Sequence, residues 1–317
     1  MHNNRDITDG TGRRFKTLRV SLLSTCNMSC IYCVNPGTIH LPTEKKTSLK
    51  TSDYLSIIER LHHHLDLQVI RLTGGEPLLF KELPALIKGI HDIGISTVKL
   101  TTNALKLTPV LQELHNAGLR SVNISLDSLD PLVFKRMTNV QDLRSVLDAI
   151  DACVALGMDV KINSVILKGI NDHQIIPLLE FASARNIRIR FLELMKMGYL
   201  HYQEETYFFG MNEMLEKIAS VTSIAKMERL SSSTATYWQT AKGVFGIISN
   251  ETEPFCGDCN RLRLDSYGNI FGCISSNEGI DVRTISDEML TDALHKALAQ
   301  KQDQFTGSDL SMKYIGG

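Results

Sequence analysis

The chain lacks the long apolar segments and the charge imbalance that mark several classes of protein. No apolar run reaches the length of about 18 residues that a membrane-spanning helix needs, and the polar start MHNNRDITDGTGRRFK has no apolar signal-peptide core. With 34 basic and 35 acidic residues the net charge is -1, which gives no general attraction to nucleic acid or membrane. We therefore predict a cytoplasmic protein that binds neither a membrane nor a nucleic acid.

Cysteine is scarce, and its spacing is informative. In a chain without an export signal, cysteines indicate metal-binding thiolates rather than disulfides. Six of the seven form two trios, spaced C-x3-C-x2-C and C-x2-C-x13-C: Cys26, Cys30, Cys33, Cys256, Cys259 and Cys273. Each trio is one thiolate short of the set that usually holds an iron–sulfur cluster, which would leave one iron free for a small molecule. The seventh, Cys153, lies in a helix-like stretch and is predicted to be a core residue.

Zinc is the competing interpretation at both trios. The first trio has no well-spaced fourth ligand, and the second lacks the paired knuckles of a zinc ribbon. We therefore favour two iron–sulfur clusters.

Apolar, β-branched runs alternate with helix-period segments up to about residue 197, which predicts parallel strands with right-handed crossovers. The predicted strands are 18–23, 69–73, 97–101, 121–125, 160–166 and 187–192, and the predicted helices are 51–65, 81–93, 108–117, 143–156, 172–185 and 212–220. Six units are two short of a full barrel, so we predict an α/β fold with a partial (β/α)6 TIM-like barrel; a doubly wound sheet is the alternative. We assign this core to residues 14–235, and a smaller C-terminal iron–sulfur domain to 236–317.

Polar residues follow successive predicted strands, where barrel enzymes collect their catalytic groups. The glycines of Thr73-Gly74-Gly75-Glu76-Pro77 would let the backbone approach a ligand closely, and Glu76 could accept a hydrogen bond from its ammonium group. The later strand ends supply Thr102, Asn103, Ser125, Asp127, Lys161, Asn163, Glu193 and Met195.

The segment CNMSCIYC, with Tyr32 just before its last cysteine, resembles the signature of the radical S-adenosylmethionine superfamily, and the GGEP segment is a second mark of it. The resemblance implies that S-adenosylmethionine chelates the free iron of a first 4Fe–4S cluster. It also implies a cofactor site lined by Tyr32, Gly75, Glu76, Ser125 and Met195.

The second trio stands beside Arg261 and Arg263, which would face the same side of a strand and suit a polyphosphate. The segments RLTGGEPL, LTTNA, NISLDSLDP, KINSVILKGIND and RIRFLELM, with the tail YIGG, are similar to the GTP 3′,8-cyclase family of molybdenum cofactor biosynthesis. The resemblance implies a second 4Fe–4S cluster that holds the guanine edge, and catalytic roles for Gly316 and Gly317 in the tail. It implies GTP contacts from Arg19, Arg71, Thr102, Lys161, Arg261 and Arg263, with Arg190 a further candidate.

The same resemblance implies an external electron donor, delivery of the product to a pyranopterin-forming synthase, and a homodimer. One departure bears on the substrate: Val69 stands where the family carries a lysine, two residues before Arg71. A diverged radical enzyme acting on another nucleotide or metabolite therefore stays open. A non-catalytic iron–sulfur or zinc sensor is the alternative from another class, and the intact GGEP segment disfavours it.

Overall fold

The computed structural model describes residues 7–34, 48–202 and 206–316, and its frame is a single 12-stranded sheet. Its strands are β1 Thr17–Ser21, β2 Val69–Thr73, β3 Thr97–Thr102, β4 Ser121–Ser125, β5 Asp159–Val165, β6 Arg188–Leu192, β7 Ile224–Lys226, β8 Thr236–Thr240, β9 Gly243–Ile248, β10 Arg261–Leu264, β11 Asn269–Phe271 and β12 Ile280–Asp281.

The first six strands are parallel and lie in sequence order, and the C-terminal part of the chain extends this row at both ends. Strand β9 pairs parallel to β6, and β10 pairs parallel to β1. The remaining strands are antiparallel additions, β8 and β7 beyond β9, and β11 and β12 beyond β10. Within the described residues no pairing joins the two outer strands, so the barrel stays open.

Nine helices lie within the described residues, and those of the first six units cover the outer face of the sheet. They are α1 Thr51–Leu65, α2 Leu83–Asp92, α3 Leu111–Asn116, α4 Pro131–Thr138, α5 Leu143–Ala155, α6 Ile175–Ala184, α7 Met211–Ala219, α8 Asp287–Ala299 and α9 Met312–Ile315. Among these residues no helix combines the length and apolarity needed to cross a membrane.

Alternation along the strands separates an apolar outer layer from a polar interior. On β1 and β2, Leu18, Val20, Ile70 and Leu72 are fully buried in the apolar core that includes the helices. The residues between them point the other way, into the barrel. Because the parallel strands pair in register, interior residues of neighbouring strands stand side by side and form rows across the barrel.

The predicted partial barrel is confirmed, and all six predicted strands agree with the structure to within two residues at each end. Two predicted helices, 108–117 and 172–185, begin with a 3₁₀ turn before α3 and α6. Helices α4, α8 and α9 and strands β7 to β9, β11 and β12 were not predicted. Cys153 is fully buried in the core, as expected. The domain boundary after residue 235 stays a prediction; strands from both sides of it belong to one sheet.

The buried carboxylate of Glu193, the residue after β6, hydrogen-bonds to two later segments of the chain. Glu193 accepts hydrogen bonds from the Met211 amide at the start of α7 (2.9 Å), and from the amides of Glu251 (2.9 Å) and Thr252 (3.1 Å) after β9. The Thr252 hydroxyl donates a fourth at 2.5 Å. The sequence indicated only a polar group at a strand end; the structure shows a side chain that satisfies three backbone donors.

Replacing Glu193 with alanine should leave those buried N–H groups unpaired, and should lower the free energy of unfolding by at least roughly 3 kcal/mol. Urea denaturation followed by circular dichroism measures the change. Glu59→Ala, an exposed glutamate of α1, is the matched control. Equal midpoints for the two variants would contradict the assigned role of Glu193.

Candidate active site

The first cysteine trio is held in a loop between β1 and α1 and lines a cavity at the carboxyl ends of the strands. We call this the first cavity; its lining includes Cys26, Cys30 and Cys33. The Cys33 amide donates to the Cys30 carbonyl (2.9 Å), and the Met28 amide to the Cys26 sulfur (3.4 Å). Burial raises the pKa of all three thiols, that of Cys26 to about 11. A bound metal replaces such protons, so the donor set fits a cluster.

The backbone at Gly74 and Gly75 packs closely against the backbone of this cysteine loop. A Cβ on Gly75 would lie 1.9 Å from the carbonyl oxygen of Thr25, so a side chain there would displace the loop. The Gly75 amide donates to the Leu23 carbonyl (2.5 Å), and the Glu76 amide to the Thr25 carbonyl (2.8 Å). The close approach predicted for the glycines is therefore made to the cysteine loop. Gly75 also lines the first cavity, so its cofactor contact stays a prediction.

Glu76 is a buried carboxylate in the wall of the first cavity. It accepts hydrogen bonds from the Thr102 hydroxyl (2.6 Å), the Asn103 amide (2.8 Å) and the Leu78 amide (3.0 Å). Burial raises its pKa to about 6 even though these bonds favour the charged form. The described structure shows no ion pair to Glu76, so an ammonium group bound in the cavity would supply a counter-charge to this carboxylate.

The remaining predicted cofactor residues also line the first cavity. They are Tyr32, Ser125 and Met195. The Tyr32 hydroxyl donates to Asp127 (2.8 Å), which also accepts from the Val165 amide (2.9 Å). Burial raises the pKa of Asp127 to about 6. The tyrosine therefore has a fixed hydroxyl, and the cavity holds a second buried carboxyl beside Glu76.

The second trio lines an adjoining cavity inside the barrel, the second cavity, whose lining includes Cys256, Cys259 and Cys273. The Cys259 amide donates to the Cys256 carbonyl (3.1 Å). Burial alone would raise the pKa of Cys259, but the charges of Arg261 and Lys301 and their hydrogen bonds lower it to about 7. By contrast, burial raises the pKa of Cys256 to about 11.

Lys301 is the functional candidate that sequence reasoning missed. It lies two residues beyond α8, and its ammonium group donates to the Cys259 sulfur (3.4 Å) and to the Arg261 carbonyl (2.5 Å). It also lies 4.9 Å from the centre of the Phe15 ring. A single lysine after a helix carries no sequence signal, and only folding brings it to the cysteines.

Neither trio forms a compact single-ion site. Within the part of the chain that is described, no three histidine, cysteine or acidic side chains converge closely enough for one metal ion. A cluster spreads its ligands over several iron atoms, so cysteines that surround a shared cavity suit it.

Five arginines line the second cavity: Arg19, Arg71, Arg190, Arg261 and Arg263. Burial, together with neighbouring guanidinium charges, lowers the pKa of Arg71 to about 9 and that of Arg263 to about 10. Because a guanidinium keeps its proton in proteins, these shifts indicate uncompensated positive charge. The Nε of Arg19 is buried and has no hydrogen-bond partner in the described structure. The cavity therefore suits a polyanion.

Two predicted GTP residues have other contacts in the structure. Thr102 lines the first cavity and donates to Glu76. Lys161 forms an ion pair with Asp159, and burial lowers its pKa to about 8. Their contacts with the nucleotide stay predictions. Arg190, the further candidate, donates to the Asn163 side chain (2.9 Å) and lines the second cavity.

The C-terminal tail reaches the barrel interior. A Cβ on Gly316 would lie 2.5 Å from the Thr73 methyl group, at the end of β2. The Arg263 guanidinium donates to the carbonyls of Gly316 and, at 3.0 Å, Ile315. Gly317 lies outside the described residues, and its predicted role stays a prediction.

The two cavities are neighbours with a common wall. Residues that line both are Thr101, Asn163, Leu192, Met195 and Met312. A molecule bound beside the first trio would therefore face one bound beside the second. The two bound molecules could react with each other inside the barrel.

Comparison with known proteins agrees with this arrangement. Residues 20–182 match the radical SAM superfamily, and residues 187–307 match the family described as Molybdenum Cofactor Synthesis C. A GTP 3′,8-cyclase of Synechocystis sp. is 36% identical over 281 residues, which are 88% of this chain and 85% of the relative. A GTP 3′,8-cyclase of Staphylococcus aureus is 35% identical over 340 residues, covering 98% and 99%.

The chain belongs to the GTP 3′,8-cyclase family of radical SAM enzymes. Membership implies S-adenosylmethionine and iron–sulfur clusters, which the two cysteine trios fit. Among solved structures, SuiB of Streptococcus suis bound to S-adenosylmethionine superposes with a TM-score of 0.65 over 92% of this chain and 67% of that one. At 16% identity that likeness shows the fold alone.

The lowered pKa of Cys259 gives a test of Lys301. In the cluster-free protein near neutral pH, Cys259 should react with iodoacetamide faster than Cys256, because more of it is thiolate. Lys301→Met should raise the Cys259 pKa and slow that reaction severalfold, as peptide mapping by mass spectrometry would measure. Lys296→Met, an exposed lysine of α8, is the control. An unchanged rate in Lys301→Met would contradict the assigned role of Lys301 in lowering the pKa of Cys259.

Proposed function

We propose that the chain cyclises GTP to (8S)-3′,8-cyclo-7,8-dihydroguanosine 5′-triphosphate, the first step of molybdenum cofactor biosynthesis. The observation that carries this proposal is the arginine-lined second cavity, which adjoins the first through a common wall. A polyanionic nucleotide and a radical-forming cofactor would then meet inside one barrel.

The residues that would hold the cofactors follow from the two cavities. Cys26, Cys30 and Cys33 would hold the first 4Fe–4S cluster; the second would be held by Cys256, Cys259 and Cys273. S-adenosylmethionine would lie among Tyr32, Gly75, Glu76, Ser125 and Met195. When bound beside the reduced cluster, this cofactor supplies a carbon radical able to abstract a hydrogen atom.

In the reaction, the protein's own residues would orient the bound nucleotide and exclude water from it. The arginines would bind the triphosphate through paired N–H groups, so that the ribose is directed toward the shared wall. Gly316 occupies a position at the end of β2 where a side chain would collide with Thr73. We propose that the tail, with Gly316 and Gly317, closes the reaction chamber on the Arg263 side.

We propose that an external donor reduces the first cluster, that the product passes to a pyranopterin-forming synthase, and that the enzyme is a cytoplasmic homodimer. The second candidate function is radical chemistry on another nucleotide or metabolite, which Val69 favours because the expected lysine is missing at that position.

Anaerobic reconstitution with iron and sulfide, followed by dithionite, S-adenosylmethionine and GTP, tests the proposal. We expect mass spectrometry to detect 5′-deoxyadenosine together with a cyclised isomer of GTP. Formation of 5′-deoxyadenosine with GTP left intact would support the second candidate, and a panel of nucleoside triphosphates would then identify the substrate.

The raised pKa of Glu76 gives a pH dependence for cofactor binding. Because the folded-state pKa is about 6, lowering the pH through that value protonates the carboxylate and removes its attraction for the ammonium group of S-adenosylmethionine. Affinity measured by equilibrium dialysis should therefore weaken from about pH 7 to about pH 5. Glu76→Gln should bind weakly at both values.

Asp127 titrates in the same range and needs its own control. Asp127→Asn should keep the pH dependence if Glu76 is its source. A dependence that disappears in Asp127→Asn and survives in Glu76→Gln would contradict the assignment.

A further inference from the structure

One interior row of the barrel consists of basic residues on four neighbouring strands. In register, Arg263 of β10 pairs with Arg19 of β1, and Arg19 pairs with Arg71 of β2. Arg71 in turn pairs with Lys99 of β3. Residues that pair in register across parallel strands point to the same face, so Lys99 continues the arginine row by one strand.

Lys99 is a partly buried cation without a counter-charge of its own. The described structure shows no ion pair or hydrogen bond of its ammonium group. Burial lowers the pKa of Lys99, and the charge of Arg71 lowers it further. The nearby acid, Asp159, is already engaged by Lys161, by Arg188 at 3.4 Å and by the Ser121 hydroxyl at 3.0 Å.

Such a row is unfavourable in an empty protein. Like charges at paired positions of a sheet repel each other, and burial strengthens the repulsion. An anion that contacts all of them would reverse the sign of this contribution. Val69, which lies on the same face of β2 as Arg71 and pairs in register with Thr97, adds no charge to this face.

We propose that Lys99 is a phosphate-binding residue of the nucleotide site, which adds a cation of β3 to the arginines of that site. The inference rests on the proposed function for the identity of the nucleotide, and on the row of charges for the phosphate. Lys99, on the neighbouring strand β3, would then supply the positive charge that a lysine at position 69 of β2 would otherwise provide.

The first measurement is the affinity of the reconstituted full-length enzyme for GTP, for guanosine and for inorganic tripolyphosphate. Lys99→Gln should weaken GTP and tripolyphosphate binding about tenfold or more, and should leave guanosine binding unchanged. Lys88→Gln is the matched control, because the Lys88 side chain is 73% exposed on α2 and pairs with Asp92. Unchanged GTP and tripolyphosphate affinities in Lys99→Gln would overturn the proposal.

A stability measurement separates a binding role from a structural one. Without ligand, Lys99→Gln should melt at the same temperature as the wild type or higher, because the substitution removes repulsion from Arg71. A lower melting temperature would mean that Lys99 supports the fold, and would overturn the proposal.

A rescue variant tests the exchange of one lysine for the other. Adding Val69→Lys to Lys99→Gln should restore most of the lost affinity for tripolyphosphate. If the double variant folds normally but its affinity for tripolyphosphate does not recover, a lysine at position 69 cannot replace Lys99, and the proposed phosphate role of Lys99 is contradicted.

The probes also distinguish failure of this inference from failure of the proposed function. If the wild type binds tripolyphosphate but not GTP, and Lys99→Gln weakens the former, Lys99 is a phosphate ligand and the proposed substrate is wrong. If the wild type binds GTP and Lys99→Gln binds it equally well, the proposed function stands and this inference fails.

Discussion

Repulsion among closely spaced cations is the interaction that dominates the interior of this barrel. Parallel strands in register turn every second side chain inward, and on β10, β1 and β2 these side chains include Arg263, Arg19 and Arg71. Burial removes them from water without supplying enough carboxylates, because Asp159 lies at the exposed start of β5 and is shared among several basic groups. The tail carbonyls accept from Arg263 and offset part of the charge. An anion bound among these guanidinium groups would offset the positive charge that remains.

The cysteine loop depends on a different constraint, the contact between two backbones. Gly75 lies so close to Thr25 that no side chain fits, and two amide hydrogen bonds join the GGEP segment to the loop. The same segment positions Glu76 in the wall of the first cavity. Loop position and carboxylate position are therefore coupled, because both are held by the end of β2.

The C-terminal region extends the sheet of the barrel at both ends and does not form a separate sheet. Strand β9 adds to β6 and β10 adds to β1, so residues far apart in sequence flank the six-stranded core on both sides. This addition places the second trio, Lys301 and the arginine pair beside the first strand. Glu193 supports this arrangement, because its carboxylate binds both the start of α7 and the segment that follows β9.

The sequence by itself determined the six strand–helix units, the two cysteine trios and the acid of the GGEP segment. These features are local: hydrophobic periodicity and short spacings depend on residues close together in the chain. Only the tertiary structure decided which strands lie beside one another, and hence that Lys99 stands next to Arg71, that Lys301 donates to Cys259, and that Thr102 donates to Glu76. Those neighbours follow from strand register and from the docking of β9 and β10, which are long-range pairings that no local pattern encodes.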